Sequence, residues 1–287
     1  MKNSPQLDMF EQQAERKAID QLLQESQLYK TSASYFELLE FIKKLRNFAP
    51  FNAMLLHIQK PGLTYAAFAD EWNRLGRTVK KSARPLIILW PFGPVALVYD
   101  VQDTEGKALP QDVDSFPARG PITQDRLFDC FKHLEKNRFQ CVQFDGGDAK
   151  AGSVTLVERD PPPKAAGWYR IETNANHSAV KQFVTLAHEL AHLYLGHLGA
   201  DGQFGIANRQ GSNHAQQEIE AESVAFLVCT RNGIESKAQA YLNAFVNDDT
   251  IQQLDLYQIM RAAGQIETLL GLALHTKKTS STKSNTR

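Results

Sequence analysis

His188, Glu189 and His192 form a His-Glu-x-x-His pattern inside the apolar stretch 185–197, TLAHELAHLYLGH. On an α-helix the four-residue spacing puts both imidazoles on one face, one turn apart, where they can share a metal ion. Two histidines are not a catalytic zinc site, which needs three protein ligands and an open fourth position. Downstream, Glu218, Glu220 and Glu222 stand in one short run. Glu218 and Glu222 lie one turn apart on a common helix face, whereas Glu220 points about 160° away.

In metallopeptidases built from two helical histidines, an acid from a second helix ligates zinc, and an acid one turn later orients a first-helix histidine. Glu218 is therefore the expected third ligand and Glu222 the acid behind a histidine, with Glu220 as the fallback ligand. One Zn²⁺ held by His188, His192 and Glu218 would bring the pKa of water to about 7. Glu189 is then placed as general base, taking the proton and passing it to the leaving amine. His197 follows Gly196 nine residues after His188, an offset that does not fit a third-histidine pattern. It reads as a histidine favourable to the helix dipole. Tyr194, His177 and His214 are possible oxyanion donors, and residues 168–173, as a sheet edge, could pair with an extended peptide.

The elements that must carry these groups follow in chain order. Residues 5–23 show helical apolar spacing after Ser4-Pro5, and further helices are expected over about 34–48 and 52–59. Thr64 is expected to cap a helix whose stripe is Phe68, Trp72 and Leu75 and which Gly76 ends. Runs 85–90 and 95–101 read as a hairpin. The Pro- and Gly-containing stretch 103–121 marks a boundary. Beyond it lie a helix over 124–136, strands over 139–144, 153–158 and 168–173, and helices over about 178–197, 214–232, 237–247 and 250–272. The expected fold class is α+β: a small helical and β-hairpin unit over 1–115, a zincin-like unit with a short sheet over 116–275, and a disordered tail at 276–287.

Lys plus Arg and Asp plus Glu each total 32 among 287 residues, so global charge points to neither nucleic acid nor membrane. Locally, residues 30–84 carry ten basic residues against Glu37, Glu40, Asp70 and Glu71. Arg74, Arg77, Lys80, Lys81 and Arg84 fall within eleven residues, with Trp72 beside them, a composition suited to phosphate contact and base stacking. Cys130, Cys141 and Cys229 are widely spaced, which argues against a disulfide framework and a thiolate zinc site. With neither a signal peptide nor a membrane span legible, a soluble cytoplasmic protein is expected.

The run 168–197, WYRIETNANHSAVKQFVTLAHELAHLYLGH, with EIEAESVAFLV at 218–228, resembles the ImmA/IrrE-type metallopeptidases. Asn52-Ala53-Met54-Leu55-Leu56, Trp72, Gly76-Arg77-x-Val79-x-Lys81, Trp90-Pro91 and Thr104-Glu105-Gly106 resemble the N-terminal domain of the ArdC antirestriction proteins. The Gly- and Arg-rich stretch that typically precedes the Asn in that family is absent. The resemblance implies an N-terminal module that binds single-stranded DNA, joined to a gluzincin-like zinc metallo-endopeptidase acting on a protein or peptide. The alternative is a non-proteolytic, DNA-binding antirestriction protein whose zinc site is structural or vestigial. Glu189 favours chemistry, because a purely structural site needs no base.

Overall fold

A computed structural model describes residues 28–90, 93–109, 122–161 and 166–273. The expected helix over 5–23 and the tail at 276–287 lie outside them. Helix α1 (Ser32–Lys44) begins at Thr31, whose hydroxyl and Ser34 form a capping box. Helix α2 (Pro50–Gln59) starts on Pro50, where the missing N–H costs nothing.

The helix expected from Thr64 is displaced. Ala66–Ala67 is strand β1, paired antiparallel with Tyr99 and Asp100, and helix α3 (Ala69–Arg74) starts only after Phe68. Strand pairing captures 66–67 because Tyr65, Ala67 and Trp72 close a separate small core there. Strand β2 (Arg77–Val79) then pairs with β5 (Thr104–Gly106), while β3 (Leu86–Trp90) and β4 (Gly93–Asp100) form the antiparallel hairpin.

After residue 122 come α4 (Gln124–Glu135), β6 (Phe139–Phe144), β7 (Gly152–Arg159) and β8 (Gly167–Asn174). The sheet order is β6-β8-β7, with β6 parallel and β7 antiparallel to β8. Helix α5 (Ala179–Tyr194) packs on this sheet and α6 (His214–Arg231) packs on α5, followed by α7 (Ala238–Phe245). The helix expected over 250–272 is two: α8 (Asp248–Ile251) and α9 (Leu256–Leu269). Asp255 breaks the run by capping α9 through its side chain.

The architecture is mixed α+β, with small sheets in front and a short sheet plus helices behind. One apolar core runs through both parts, from Leu38, Ile42 and Met54 to Phe183, Val224 and Ile259. The turn after α1 is tied to the rear helices by Arg231, which is 2% exposed. Its guanidinium donates to the Ile42 carbonyl at 2.7 Å and the Phe48 carbonyl at 2.8 Å while pairing with Glu267 on α9 at 2.8 Å. Among the described residues no helix is long and apolar enough to cross a membrane.

Candidate metal centre

Helix α5 buries Phe183, Leu186, Leu190 and Leu193, and helix α6 buries Ile219, Val224 and Leu227. Ala187, Ala191, Ala221 and Ala225 are also fully buried, and such small side chains let packed helices approach closely. The polar residues between these positions then meet. His188 Nε2 and His192 Nε2 are 3.1 Å apart. Glu218 Oε2 lies 3.6 Å from His188 Nε2, and Glu218 Oε1 lies 3.4 Å from His192 Nε2.

Tetrahedral zinc with bonds of about 2.0–2.1 Å needs donor atoms about 3.3–3.4 Å apart. The imidazole nitrogens, 3.1 Å apart, and the two Glu218 oxygens that face them, one at 3.6 Å from His188 and the other at 3.4 Å from His192, lie near that value, so the three side chains converge closely enough to share one small ion. Among the described residues, His188, His192 and Glu218 form the one His/Cys/Asp/Glu group with ligand atoms converging in this way. Glu222 stands behind the set, with Oε1 3.4 Å from His188 Nδ1.

Glu220, the fallback ligand, belongs elsewhere. It is fully buried and takes Arg209 Nη2 at 2.8 Å, Gln216 Nε2 at 3.1 Å and the Asp255 N–H at 3.0 Å, all on Oε1. Its Oε2 faces His197 Nε2 at 3.4 Å. Burial alone would raise its pKa, but the hydrogen bonds from His197, Arg209 and the Asp255 amide outweigh this and hold it at about 2. A carboxylate turned into that cage is not offered to the metal.

Glu189 sits on the opposite flank of the histidines, its Oε2 accepting the Val154 N–H of β7 at 3.1 Å. Burial raises its pKa, opposed by the charge of His188 and the Val154 bond, which suits a base that must also give its proton back. His192 is held neutral: burial, then the charges of His188, His197 and His214, push it down to about 3. Burial also disfavours the His188 cation, but the Glu222 hydrogen bond and the charges of Glu222, Glu189 and Glu218 prevail and raise its pKa.

The structure redirects the expected peptide edge. Strand β8 is central, paired on both sides, and cannot accept another strand. Among the described residues β7 pairs only with β8, and its free side carries the Val154 N–H that meets Glu189. Of the suggested oxyanion donors, Tyr194 is buried against Phe204 and His177 is buried beside Asp148. Only His214 reaches the ligands, its 86%-exposed side chain placing Nδ1 3.6 Å from Glu218 Oε1.

The basic segment is a mixture. Trp72 is 0% exposed, and its Nε1 donates to the Tyr99 carbonyl, so it presents no ring face to a base. The expected stacking role is corrected by its helical spacing, which directs it into the small core. Arg77 is spent on the β2–β5 pair, donating to the Thr104 hydroxyl and carbonyl and the Lys107 carbonyl. Arg74 pairs with Asp70, and Lys80 donates to the Gln102 carbonyl while remaining exposed. Lys81 and Arg84 are exposed.

His197 is the residue whose place the sequence hid. Its Nδ1 lies 2.9 Å from His192 Nδ1. Gly196 was the available signal: with φ +82° it forms a Schellman turn, in which the Gly196 N–H bonds Leu193 O and the His197 N–H bonds His192 O. That turn folds the residue after the glycine back over His192.

Residues 151–243 match the family model of the IrrE N-terminal-like domain. No curated protein matches the sequence. Two solved structures of the antirestriction ArdC protein from the R388 plasmid are similar over 77% of this chain. The metal-free one shares 16% identity, covers 82% of its own chain and gives a TM-score of 0.37. The Mn(II)-bound one shares 18%, covers 85% and gives 0.35. The segment matched to that family model holds β7, β8, both ligand-bearing helices and most of α7.

Proposed function

We propose that the chain is a zinc-dependent peptidase that cleaves protein or peptide substrates. The observation that carries this is the convergence of His188, His192 and Glu218, whose ligand atoms lie within 4.8 Å of one another, with Glu189 beside them on the strand-facing flank. Zinc, when bound, would supply a Lewis acid and an acidified water at neutral pH. The donor set favours it: two imidazoles and one carboxylate suit that ion, with Glu222 steadying a ligand from behind.

The protein's own groups divide the remaining work. Glu189, its pKa raised by burial, takes a proton and returns it to the departing amine. The free edge of β7 pairs with an extended substrate and holds its scissile bond across the helix face. His214, exposed beside Glu218, donates to developing negative charge on the substrate carbonyl.

The front unit is proposed to contact single-stranded DNA through phosphates, using Lys80, Lys81 and Arg84 with Arg74 nearby and no base stacking on Trp72. The resemblance of its sequence to the ArdC N-terminal domain supports this, and with it a role in antirestriction or in regulatory proteolysis linked to mobile DNA.

Metal analysis of purified variants tests the centre. Glu218→Gln should lose most of its zinc, and Glu220→Gln should lose much less; the reverse order would exchange their roles. Charge reversal at Lys80, Lys81 and Arg84 should weaken binding of a single-stranded oligonucleotide and flatten its salt dependence. Unchanged binding would remove that surface from the proposal.

A further inference from the structure

Both ligand histidines use Nε2 toward the centre, so each must be neutral with its proton on Nδ1. For His188 that nitrogen faces a carboxylate, Glu222 Oε1 at 3.4 Å. For His192 it meets another imidazole, because Nδ1 faces His197 Nδ1 at 2.9 Å. His192 must be the donor there, which makes His197 Nδ1 the acceptor and leaves the His197 proton on Nε2. That nitrogen faces Glu220 Oε2 at 3.4 Å, the oxygen left over when Arg209, Gln216 and Asp255 occupy Oε1.

We propose that His197 is a positioning residue that connects His192 to the Glu220 carboxylate, fixing the tautomer and ring orientation in which His192 turns its Nε2 lone pair to the metal. The inference rests on the metal-centre reading. It accounts for an alternation in the acid run: Glu222 orients one histidine directly, and Glu220 orients the other at one remove. It also accounts for polarity where packing asks for none. The His197 side chain is 2% exposed, and a leucine would fill such a site without needing hydrogen-bond partners. A histidine serving only the helix dipole would have no need of a caged carboxylate on its far nitrogen. Gly196 and Arg209 complete the arrangement: the Arg209 N–H bonds Gly196 O at 3.0 Å, so the loop that turns His197 inward also delivers the arginine that holds Glu220.

The test compares the full-length wild type, His197→Leu and His197→Gln. Zinc affinity is read by chelator competition, and imidazole tautomers by ¹⁵N NMR. The glutamine amide can accept from His192 and donate to Glu220, so its affinity should stay within about threefold of wild type. The leucine variant should bind zinc on the order of 10-fold more weakly, at the lower end of what losing an outer partner costs. In the zinc-loaded wild type, His192 should carry its proton on Nδ1 and His197 on Nε2. This measurement stands even if the leucine variant does not fold. Wild-type affinity in His197→Leu, or a His197 proton found on Nδ1, overturns the relay while leaving the metal centre intact. A wild type that binds no zinc overturns the centre and the relay with it.

Discussion

Replacing Arg231 by methionine isolates what ties the front helices to the helix that carries Glu218. The guanidinium is 2% exposed and serves four partners: Glu267 and the carbonyls of Ile42, Leu45 and Phe48. Methionine keeps most of the volume and none of the donors. Removing one member of a buried ion pair costs about 3–5 kcal/mol, and each carbonyl that loses its partner adds about 1 kcal/mol where water cannot replace it. These terms overlap, so a loss of about 5 kcal/mol is expected, a large part of the roughly 5–15 kcal/mol that stabilises a folded domain. At about 2 °C per kcal/mol for a chain of this size, thermal unfolding followed by circular dichroism should move down by about 10 °C. The double variant Arg231→Met, Glu267→Met should recover about half of that, because the stranded carboxylate is gone while the carbonyls remain unserved. A single variant within 2 °C of wild type would refute the reasoning, as would a double variant no more stable than the single.

Three shorter predictions concern the metal centre, the turn after α5 and a buried histidine on α2. Glu222→Gln should weaken zinc binding by about 10- to 100-fold with little loss of fold, because the residue is half-buried and acts on His188 Nδ1; equilibrium dialysis against zinc decides this. Gly196→Ala should destabilise the protein and weaken zinc binding together, since φ is +82° and a Cβ there would run into the Ala207 carbonyl oxygen; a variant that melts and binds like wild type would contradict it. Burial holds the pKa of His57 below its usual value, only partly opposed by the charge of Glu37. The unfolded chain then takes a proton that the native one refuses. Stability should be fully present above about pH 6.5 and fall as pH drops toward the lowered native value, and His57→Gln should flatten that slope in urea titrations.

The sequence made the local part of this molecule legible. The i, i+4 spacing of His188 with His192 and of Glu218 with Glu222 defines two helix faces, and the strands over 139–144, 153–158 and 168–173 appear with shifts of at most one residue at each end. What it hid depends on contacts between distant residues. Sheet order is one such property, and nothing in 168–173 says that β8 is central and β7 is the edge. Glu220 has the same chemistry as Glu218, but Arg209, eleven residues before it, and Asp255, thirty-five after, together with Gln216 and His197, hold its carboxylate away from the metal. Trp72 illustrates a conflict that was visible at the outset, since its spacing with Phe68 and Leu75 described a buried stripe while its neighbours in sequence suggested a basic surface. Burial prevails because the indole finds both an apolar pocket and a carbonyl for its N–H. The position of His197 was encoded in one residue, Gly196, whose turn geometry determines where the next side chain goes.

The most direct measurement is a mass-spectrometric search for new peptide termini in a denatured proteome incubated with the zinc-loaded protein or its Glu189→Gln variant, each with and without single-stranded DNA. If Glu189 is the base of a peptidase, both proteins retain zinc and new termini arise only with the wild type. If the same termini arise with Glu189→Gln, or if neither protein cuts with or without DNA, the proposed chemistry of the centre is wrong.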